Sequence, residues 1–211
     1  RRKRSIVLDL RQPESLKAAR ALIASADAVL QNARPGAMER CGLGPVFLRE
    51  FKPQLVVGSV SGFGSTGDAS GRPGFDIAAQ AESGMMSLNG EADDDPLRVG
   101  FAVVDVMASH ALTSGVLAAL LRRFVSGAGS TVEVSLIDVA TEAMAYPWAE
   151  YALTGKLPVR VGNGQAALAP GADVVKTADG QIVVSAYMDE HFARLCEAIH
   201  RPDFPVDPRF C

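Results

Sequence analysis

A single carboxylate interrupts an apolar stretch of the sequence. Asp105 lies in the run from Val99 to Ala108, where every other residue is apolar or glycine. This pattern predicts that the Asp105 side chain is at least partly buried, and a carboxylate removed from water is costly unless it has partners. Such a group suits a nucleophile that attacks an activated acyl carbon, or a cap that accepts backbone N–H groups at the start of a helix. Both roles are compatible, because a helix N-terminus favours the ionised carboxylate.

Four arginines fall in predicted loops or helix ends, close to glycine and proline. They are Arg11, Arg34, Arg40 and Arg72. The planar guanidinium group makes paired, charge-assisted hydrogen bonds with phosphate oxygens, so these positions are candidates for holding a phosphate-rich anion. Exposed arginines are common on protein surfaces, and without other information most of these side chains are expected to be solvated.

The glycine-rich segment from Gly62 to Gly67 matches the pattern G-x-G-x-x-G and follows an apparent strand, as in dinucleotide-binding proteins. The residues from Asp68 to Pro73 cannot continue directly into a helix, so there is no helix N-terminus at the last glycine to bind a pyrophosphate. We therefore interpret the segment as a flexible loop. The sequence also lacks a P-loop and a G-x-S-x-G elbow, which argues against a triphosphate site of that type and against a serine hydrolase.

No metal site is predicted. The histidines and cysteines lie far apart in the sequence and lack the spacings typical of zinc ligands. The cysteines are odd in number, which fits free thiols in a reducing compartment better than a disulfide framework, so we expect a cytoplasmic protein. The basic run from Arg1 to Arg4 is not followed by the apolar segment of a secretory signal, and no export is expected.

Composition limits the classes of partner. The 211 residues are 48% hydrophobic and 21% charged, with 21 basic against 24 acidic residues and a net charge of −3. A globular core is therefore expected, and no positive field favours nucleic acid or an anionic membrane surface. Polar residues interrupt the apolar stretches before they reach the roughly 20 residues that cross a bilayer, so no membrane partner is predicted.

The hydrophobic periodicity predicts strands that alternate with helices over residues 1–155, which is typical of a parallel sheet covered on both faces. The predicted strands are 5–10, 28–30, 55–60 and 131–136, and the predicted helices are 13–26, 37–40, 46–51, 75–86, 105–124 and 138–153. Composition changes after Gly155. Over residues 156–211 we expect a loop, two strands around the turn signal Asp179-Gly180, and a helix near 190–199, which together form a small α+β module.

Short segments, taken in their order along the chain, resemble a known family. They are residues 3–10, Asn32-Ala33-Arg34-Pro35-Gly36 with Arg40 and Gly42-Leu43-Gly44, Ser61 to Gly67, Arg72-Pro73-Gly74-Phe75-Asp76, Ser83-Gly84, Asn89-Gly90, Val99-Gly100 before Asp105, and Asp207 to Phe210. The set resembles the class III CoA-transferases, the group of formyl-CoA transferase, carnitine CoA-transferase and α-methylacyl-CoA racemase. The resemblance covers the whole chain and implies a Rossmann-like α/β domain and the start of a smaller α+β domain, incomplete relative to the family.

The resemblance implies a function for specific residues. Asp105 aligns with an aspartate that attacks an acyl-CoA thioester, and CoA then passes to an acceptor carboxylic acid through covalent intermediates, without ATP and without a permanently bound cofactor. Acyl-CoA is thus a substrate, and an intertwined homodimer is expected. The residues implied to contact CoA are Leu8 and Arg11 near the adenosine, Asn32, Ala33 and Arg34 near the phosphates or pantetheine, Arg40 on a phosphate, and Pro73, Gly74, Phe75 and Asp76 at the thioester end.

Departures from the family pattern leave two alternatives open. Racemases of the family carry His at the position of Phe75, and with Phe75 the second acid/base needed for proton exchange at carbon is missing, so a transferase is favoured over an acyl-CoA racemase. The usual aromatic after Asn32 is Ala33, and the glycine-rich flap is represented only by Gly162-Asn163-Gly164. The second alternative is a truncated, noncatalytic fragment that binds CoA weakly or self-associates.

Overall fold

The chain divides into two compact units. The computed structural model describes residues 3–164, 169 and 171–209. Unit 1 comprises residues 1–85 and 98–153, and unit 2 comprises residues 86–97 and 154–211. The sequence placed the boundary at 155/156 but gave no indication that the segment 86–97 belongs with the C-terminal unit.

Unit 1 contains a parallel sheet of three strands. The strands β1 (Ala28–Gln31), β2 (Val56–Ser61) and β3 (Thr131–Ser135) lie in the order β1-β2-β3, and both neighbouring pairs are parallel. Val56 and Val57 point to opposite faces of the central strand and are both fully buried. The sheet is therefore covered on both faces, as the alternation of strands and helices predicted.

Helices precede, connect and follow the strands of unit 1. They are α1 (Pro13–Ser25), α2 (Ala37–Arg40), α3 (Pro45–Phe51), α4 (Asp76–Glu82), α5 (Met85–Leu88, which continues into unit 2), α6 (Val103–Ser126), α7 (Leu136–Ala143) and α8 (Ala145–Thr154). Pro13 occupies the first helical position of α1. A backbone N–H at this position would have no acceptor within the helix, so proline is tolerated there. Ala19 and Ile23 of this helix lie in a core cluster with Leu48 and Leu55, which confirms the helix expected from their spacing.

The long helix α6 packs one stripe of side chains against the sheet. Its buried residues recur at helical spacing and are Val104, Ala108, Leu112, Val116 and Ala119. By length and composition α6 could cross a membrane, and it is the one helix of the described residues with that property. The buried stripe, which contacts β2 and β3, is also the pattern of the core helix of a globular domain.

The structure corrects some predicted elements. The segment from Ser5 to Leu10 forms no strand, and its Ile6 and Val7 are 63% and 96% exposed. A run of β-branched and apolar residues forms a strand only when another strand provides hydrogen-bond partners, and none of the described residues pairs with this segment. The expected helix over 75–86 is divided at Gly84, whose φ of +87° ends the helical conformation. The expected helix over 138–153 is likewise two helices, α7 and α8.

Unit 2 is a small α+β structure. The strands β4 (Gly171–Lys176) and β5 (Gln181–Ala186) form an antiparallel hairpin, followed by α9 (Asp189–Ala198) and a 3₁₀ turn at Phe204–Val206. The turn closes through a hydrogen bond from Thr177 N to Gly180 O of 2.9 Å, as the Asp179-Gly180 signal predicted. These elements confirm the predicted fold class.

Candidate active site

The carboxyl ends of the three parallel strands meet at one edge of the sheet, where ligands bind in open α/β folds. Gln31, Ser61 and Ser135 are the last residues of β1, β2 and β3. The loops that follow β1 and β2, together with the starts of α6 and α7, therefore surround one region of unit 1.

Asp105 lines two of the cavities that open in this region. The first, which we call the loop cavity, is lined by residues of the loops after β1 and β2 and contains most of the side chains predicted from the sequence: Asn32, Ala33, Arg34, Pro73, Gly74, Phe75 and Asp105. The second, which we call the helix cavity, lies beside α6 and is mainly apolar, with Leu30, Val60, Ala108, Leu112 and Leu136 in its wall. A group bound near Asp105 can therefore contact polar loop atoms on one side and an apolar wall on the other.

Asp105 is the third residue of α6, and its side chain is exposed toward these cavities. The prediction of a buried side chain is therefore wrong. The apolar residues around Asp105 form the start of helix α6. In this helix Val104 and Ala108 point toward the core, whereas Asp105 points toward solvent.

The expectation that Asp105 caps α6 is also wrong, because another carboxylate occupies that position. Oδ2 of Asp76 accepts the backbone N–H groups of Val104 at 2.7 Å and of Asp105 at 3.2 Å. Partial desolvation, and to a smaller extent the negative charge of Asp76, raise the pKa of the Asp105 carboxyl above its ordinary value. A helix N-terminus alone would lower the pKa of this carboxyl, so the shift has the opposite sign to the one expected from the helix.

Three of the predicted CoA contacts lie outside the two cavities that Asp105 lines. Leu8 packs against the core cluster of α1 and α3. Arg11 is exposed and forms an ion pair with Asp9 at 2.8 Å, which lowers the pKa of the Asp9 carboxyl. Arg40 is exposed on α2, with its guanidinium group beside Gly36. None of these three residues lines either cavity.

Asp76, which the sequence placed at the thioester end of the ligand, is 7% exposed and turns its carboxylate into the fold. Both of its carboxylate oxygens accept hydrogen bonds from protein groups. Oδ1 accepts from the Gln80 amide at 2.5 Å, and Oδ2 accepts from the backbone at the start of α6. Asp76 therefore affects the site indirectly, through the residues to which it is hydrogen-bonded.

The two arginines at the loop cavity differ in their charge partners. Arg72 makes two hydrogen bonds with Glu82, of 2.6 and 3.1 Å, and its guanidinium group lies 4.2 Å from the centre of the Phe63 ring. Arg34 is exposed, and no described residue forms an ion pair with it. The same holds for Arg40. The sequence could not separate these cations, whereas the structure leaves the charge of Arg34 available at the cavity.

Two polar residues of the site were not found from the sequence. Gln31 lines the helix cavity, and its Oε1 accepts the backbone N–H of Ala33 at 2.7 Å, which fixes the turn that carries Asn32 and Ala33. Ser109 lies one helical turn after Asp105 and lines the same cavity. The i, i+4 spacing from Asp105 was a signal for Ser109, but nothing in the sequence distinguishes Gln31 from other polar residues at a strand end.

The described residues include no cluster of three or more histidine, cysteine, aspartate or glutamate side chains placed to hold a metal ion. The site offers one exposed carboxylate with a raised pKa, backbone and amide donors of the Asn32 loop, and a guanidinium group. A carboxylate of this kind can attack an acyl carbon, and the cationic and amide groups can bind an anionic, phosphate-containing substrate.

Comparison with known proteins gives consistent matches over the whole chain. The family model described as CoA-transferase family III matches residues 1–211. The succinate–glutarate CoA-transferase of Agrobacterium fabrum is 36% identical over 210 residues, which are 100% of this chain and 52% of that protein. The succinyl-CoA:mesaconate CoA-transferase of Haloarcula hispanica is 37% identical over 211 residues, 98% of this chain and 53% of that protein.

Solved structures agree. A CAIB/BAIF family protein from Brucella suis superposes with a TM-score of 0.85 at 31% identity and covers 98% of this chain and 55% of that chain. The protein Rv3272 from Mycobacterium tuberculosis gives a TM-score of 0.85 at 35% identity with the same coverage. The chain thus spans about half the length of the curated relatives and solved structures that it matches.

Proposed function

This chain belongs to CoA-transferase family III, and from that membership we propose that the protein transfers CoA from an acyl-CoA to a small carboxylic acid, with Asp105 as the nucleophile. The observation that carries the proposal is the position of Asp105, whose exposed carboxylate lines the loop cavity together with Asn32, Arg34 and Phe75. The relatives' names support the substrate class, since they specify succinyl, glutarate, mesaconate or oxalate groups.

The proposed reaction begins when an oxygen of Asp105 attacks the thioester carbon of the donor. The C–S bond breaks, CoA leaves as the thiolate, and a mixed anhydride remains on Asp105. The thiolate then attacks the aspartyl carbon, which releases the donor acid as its carboxylate and leaves an aspartyl-CoA thioester. The acceptor carboxylate repeats these two steps in reverse order, so that CoA leaves as the acceptor thioester and Asp105 is regenerated. Overall one CoA thioester is exchanged for another of similar energy, so ATP is not needed.

The environment of Asp105 supports this role. A carboxylate with a raised pKa is a stronger nucleophile in its ionised form than an ordinary aspartate, because nucleophilicity increases with basicity. The anhydride and the thioester intermediates are neutral at this side chain, so the partly desolvated position that disfavours the free carboxylate disfavours them less. The site therefore raises the energy of the resting carboxylate relative to the acylated state.

For the binding of CoA we propose that Arg34 and Arg40 hold phosphates and that the loop from Asn32 to Arg34 contacts phosphate or pantetheine. Arg34 supports this role through its position at the cavity and its lack of an ion-pair partner in the described part of the chain. Leu8 and Arg11 would contact the adenosine portion. Pro73, Gly74 and Phe75 would line the thioester end, where Asp76 acts only through the fold.

An acyl-CoA racemase is the alternative within the family, and Phe75 argues against it. The Phe75 side chain is 74% exposed and lines the loop cavity beside Asp105. Proton exchange at carbon needs an acid and a base on opposite sides of the substrate, and a phenyl ring supplies neither. A noncatalytic protein remains the alternative outside the family's chemistry.

We also propose that the protein is a cytoplasmic homodimer. Large apolar side chains on the outer face of α6 support assembly, because Leu121 and Phe124 are 71% and 93% exposed and surfaces of this kind are commonly covered by another subunit. Sedimentation velocity at micromolar concentration distinguishes the dimer from a monomer, and fractionation of cells that express the protein tests the compartment.

The experiment that tests the function is chemical trapping at Asp105. The protein is incubated with succinyl-, glutaryl-, acetyl- and oxalyl-CoA and then with hydroxylamine, and the Asp105 peptide is examined by mass spectrometry for a hydroxamate. A hydroxamate at Asp105 with one or more donors is expected, and Asp105→Ala should lower turnover by at least about 1,000-fold. The matched control is Asp138→Ala, at the third position of α7, which should retain turnover because Asp138 lines neither cavity. Full turnover by Asp105→Ala would exclude the proposed site.

A further inference from the structure

A buried amide lies behind the proposed nucleophile. Gln80 of α4 has no exposed surface, and it uses both ends of its side chain. Its Nε2 donates to Oδ1 of Asp76 at 2.5 Å, while its Oε1 accepts the backbone N–H of Val99 at 2.8 Å. Because the amide group is a donor and an acceptor at once, Gln80 satisfies the buried carboxylate of Asp76 and the partly buried N–H of Val99 together, which no apolar or charged side chain could do.

Asp76 continues this network to the first turn of α6. One carboxylate oxygen is bound by Gln80, and the other accepts the N–H groups of Val104 and Asp105. The residue that precedes α6, Ala102, offers no side-chain cap. Asp76, which belongs to the earlier helix α4, therefore acts as the cap of α6. It accepts hydrogen bonds from backbone N–H groups that would otherwise have no partner.

The network joins three segments of unit 1: α4, the segment that enters α6 through Val99, and the first turn of α6 itself. A helix whose first N–H groups lack acceptors frays over its first turn, and Asp105 is the third residue of that turn. The hydrogen bonds of Gln80 and Asp76 thus determine where the backbone of Asp105 lies, and consequently where its carboxylate lies relative to the two cavities.

We propose that Gln80 is a positioning residue for the transfer reaction, which acts through Asp76 to hold the first turn of α6 and the Asp105 carboxylate in the geometry of attack. This inference rests on the proposed function of Asp105. Gln80 itself lines neither cavity. Its effect on the rate arises because displacement of a nucleophile by about 1 Å can lower a rate by about 100-fold.

The kinetic consequence differs from that of a binding residue. Asn32 and Arg34, which are proposed to bind the phosphates or pantetheine of CoA, belong to the loop after β1 and make no hydrogen bond with Gln80 or Asp76 among the described residues. Loss of the Gln80 amide should therefore lower kcat and the rate of acylation of Asp105, and leave the affinity for CoA nearly unchanged. A residue needed only for folding would lower the fraction of active protein and leave kcat per folded molecule unaltered.

The test uses Gln80→Met, which keeps the length of the side chain and removes both hydrogen bonds, in the whole protein. We expect kcat and the rate of hydroxylamine trapping at Asp105 to fall about 10- to 100-fold, while the dissociation constant for CoA from calorimetry changes less than about twofold. The matched control is Ile23→Val, which removes one buried methyl group from the core cluster of α1 and α3 and should lower stability without this loss of kcat, because Ile23 lines neither cavity. Folding of each variant is checked by circular dichroism and thermal unfolding.

The outcomes separate this inference from the proposed function. If Asp105→Ala is inactive but folded Gln80→Met retains the parental kcat, the positioning role is excluded and the nucleophile stands. If Asp105→Ala is active, the proposed site itself fails. Should Gln80→Met not fold, Gln80→Leu and Asp76→Ala replace it, since each removes the hydrogen bonds of one side chain without adding a buried charge. Parental kcat in either, or the loss of folding in all three, would overturn the inference, because the network would then serve the fold alone.

Discussion

The backbone of Gly62 lies directly against the backbone of Gly74. A Cβ atom placed on Gly62 would lie 2.6 Å from Cα of Gly74, and a Cβ on Gly74 would lie 2.9 Å from Cα of Gly62 and 2.7 Å from the Phe63 ring. The two glycines form the neck of the loop that follows β2, and both line the loop cavity. Glycine is needed at each position because no side chain fits between the crossing backbones.

Substitution at this neck should open the loop and weaken the site. We expect Gly62→Ala and Gly74→Ala each to lower the free energy of unfolding by roughly 1–3 kcal/mol, since backbone atoms must move to admit the methyl group. Urea unfolding measures the change. Gly100→Ala is the control, because its Cβ meets no atom within 4 Å and its φ is not in the left-handed region. A neck variant as stable as Gly100→Ala would contradict the close approach.

Asp105 should make the stability of the protein depend on pH. Its pKa is raised in the folded state, so the folded protein holds this proton at pH values where the unfolded chain has already released it. The unfavourable effect of the ionised carboxylate is therefore absent below the ordinary aspartate pKa of about 3.9 and grows as the pH rises through the folded value. The stability of Asp105→Asn relative to the parent should increase from pH 3 to pH 7.

Chemical unfolding of parent and Asp105→Asn over this pH range measures the difference, with Asp138→Asn as the control for removal of a carboxylate at the third position of a helix. A relative stability of Asp105→Asn that decreased with pH would mean that the folded state favours the ionised carboxylate. The pH series needs no substrate, so its result is independent of the proposed reaction.

Arg34 should contribute to CoA affinity through charge. We expect Arg34→Ala to weaken CoA binding by roughly 1.5–3 kcal/mol, which is the range for a hydrogen bond to a charged group, and the loss should shrink at high salt. Isothermal titration with CoA and with dephospho-CoA measures the effect and identifies the phosphate. Arg49→Ala is the control, since Arg49 is exposed on α3 and lines neither cavity. Equal affinities for the two variants would remove Arg34 from the binding site.

Arg160 should stabilise the segment 86–97 within unit 2. Its guanidinium group donates to the backbone oxygens of Glu91 at 3.1 Å, Ser87 at 3.3 Å and Asp94 at 2.7 Å. We expect Arg160→Ala to increase hydrogen exchange at the amides of Leu97 and Gly162, whose hydrogen bonds lie in the same segment, by about 5- to 30-fold for a local loss of 1–2 kcal/mol.

Arg194→Ala is the control for this exchange experiment, because Arg194 forms an exposed pair with Glu190 at 3.8 Å on α9. Such pairs contribute little, and exchange at Leu97 and Gly162 should stay at the parental rate. Unchanged exchange in Arg160→Ala would show that the three carbonyl contacts do not hold the segment.

Periodicity and local chemistry were sufficient to predict the sheet of unit 1, the hairpin of unit 2 and most of the helices. Apolar spacing at 3.6 residues or in continuous runs reflects which face of an element is buried, and that face is encoded locally. The order of short motifs identified the family and predicted a common site for four residues. All four line the loop cavity, and they are Asn32, Arg34, Phe75 and Asp105.

Strand pairing, the exposure of Asp105 and the capping of α6 depend on tertiary contacts, and local sequence patterns did not predict them. Whether Ser5 to Leu10 forms a strand depends on a pairing partner, and whether Asp105 is buried depends on the direction of one side chain in the first turn of α6. The exchange of roles between two carboxylates, with Asp76 as the cap and Asp105 exposed, arises because α4 packs against the start of α6. The sequence by itself therefore determined the family, the order of elements and the candidate nucleophile, whereas contacts between residues far apart in the chain decided which groups support that nucleophile and which charges remain free for a ligand.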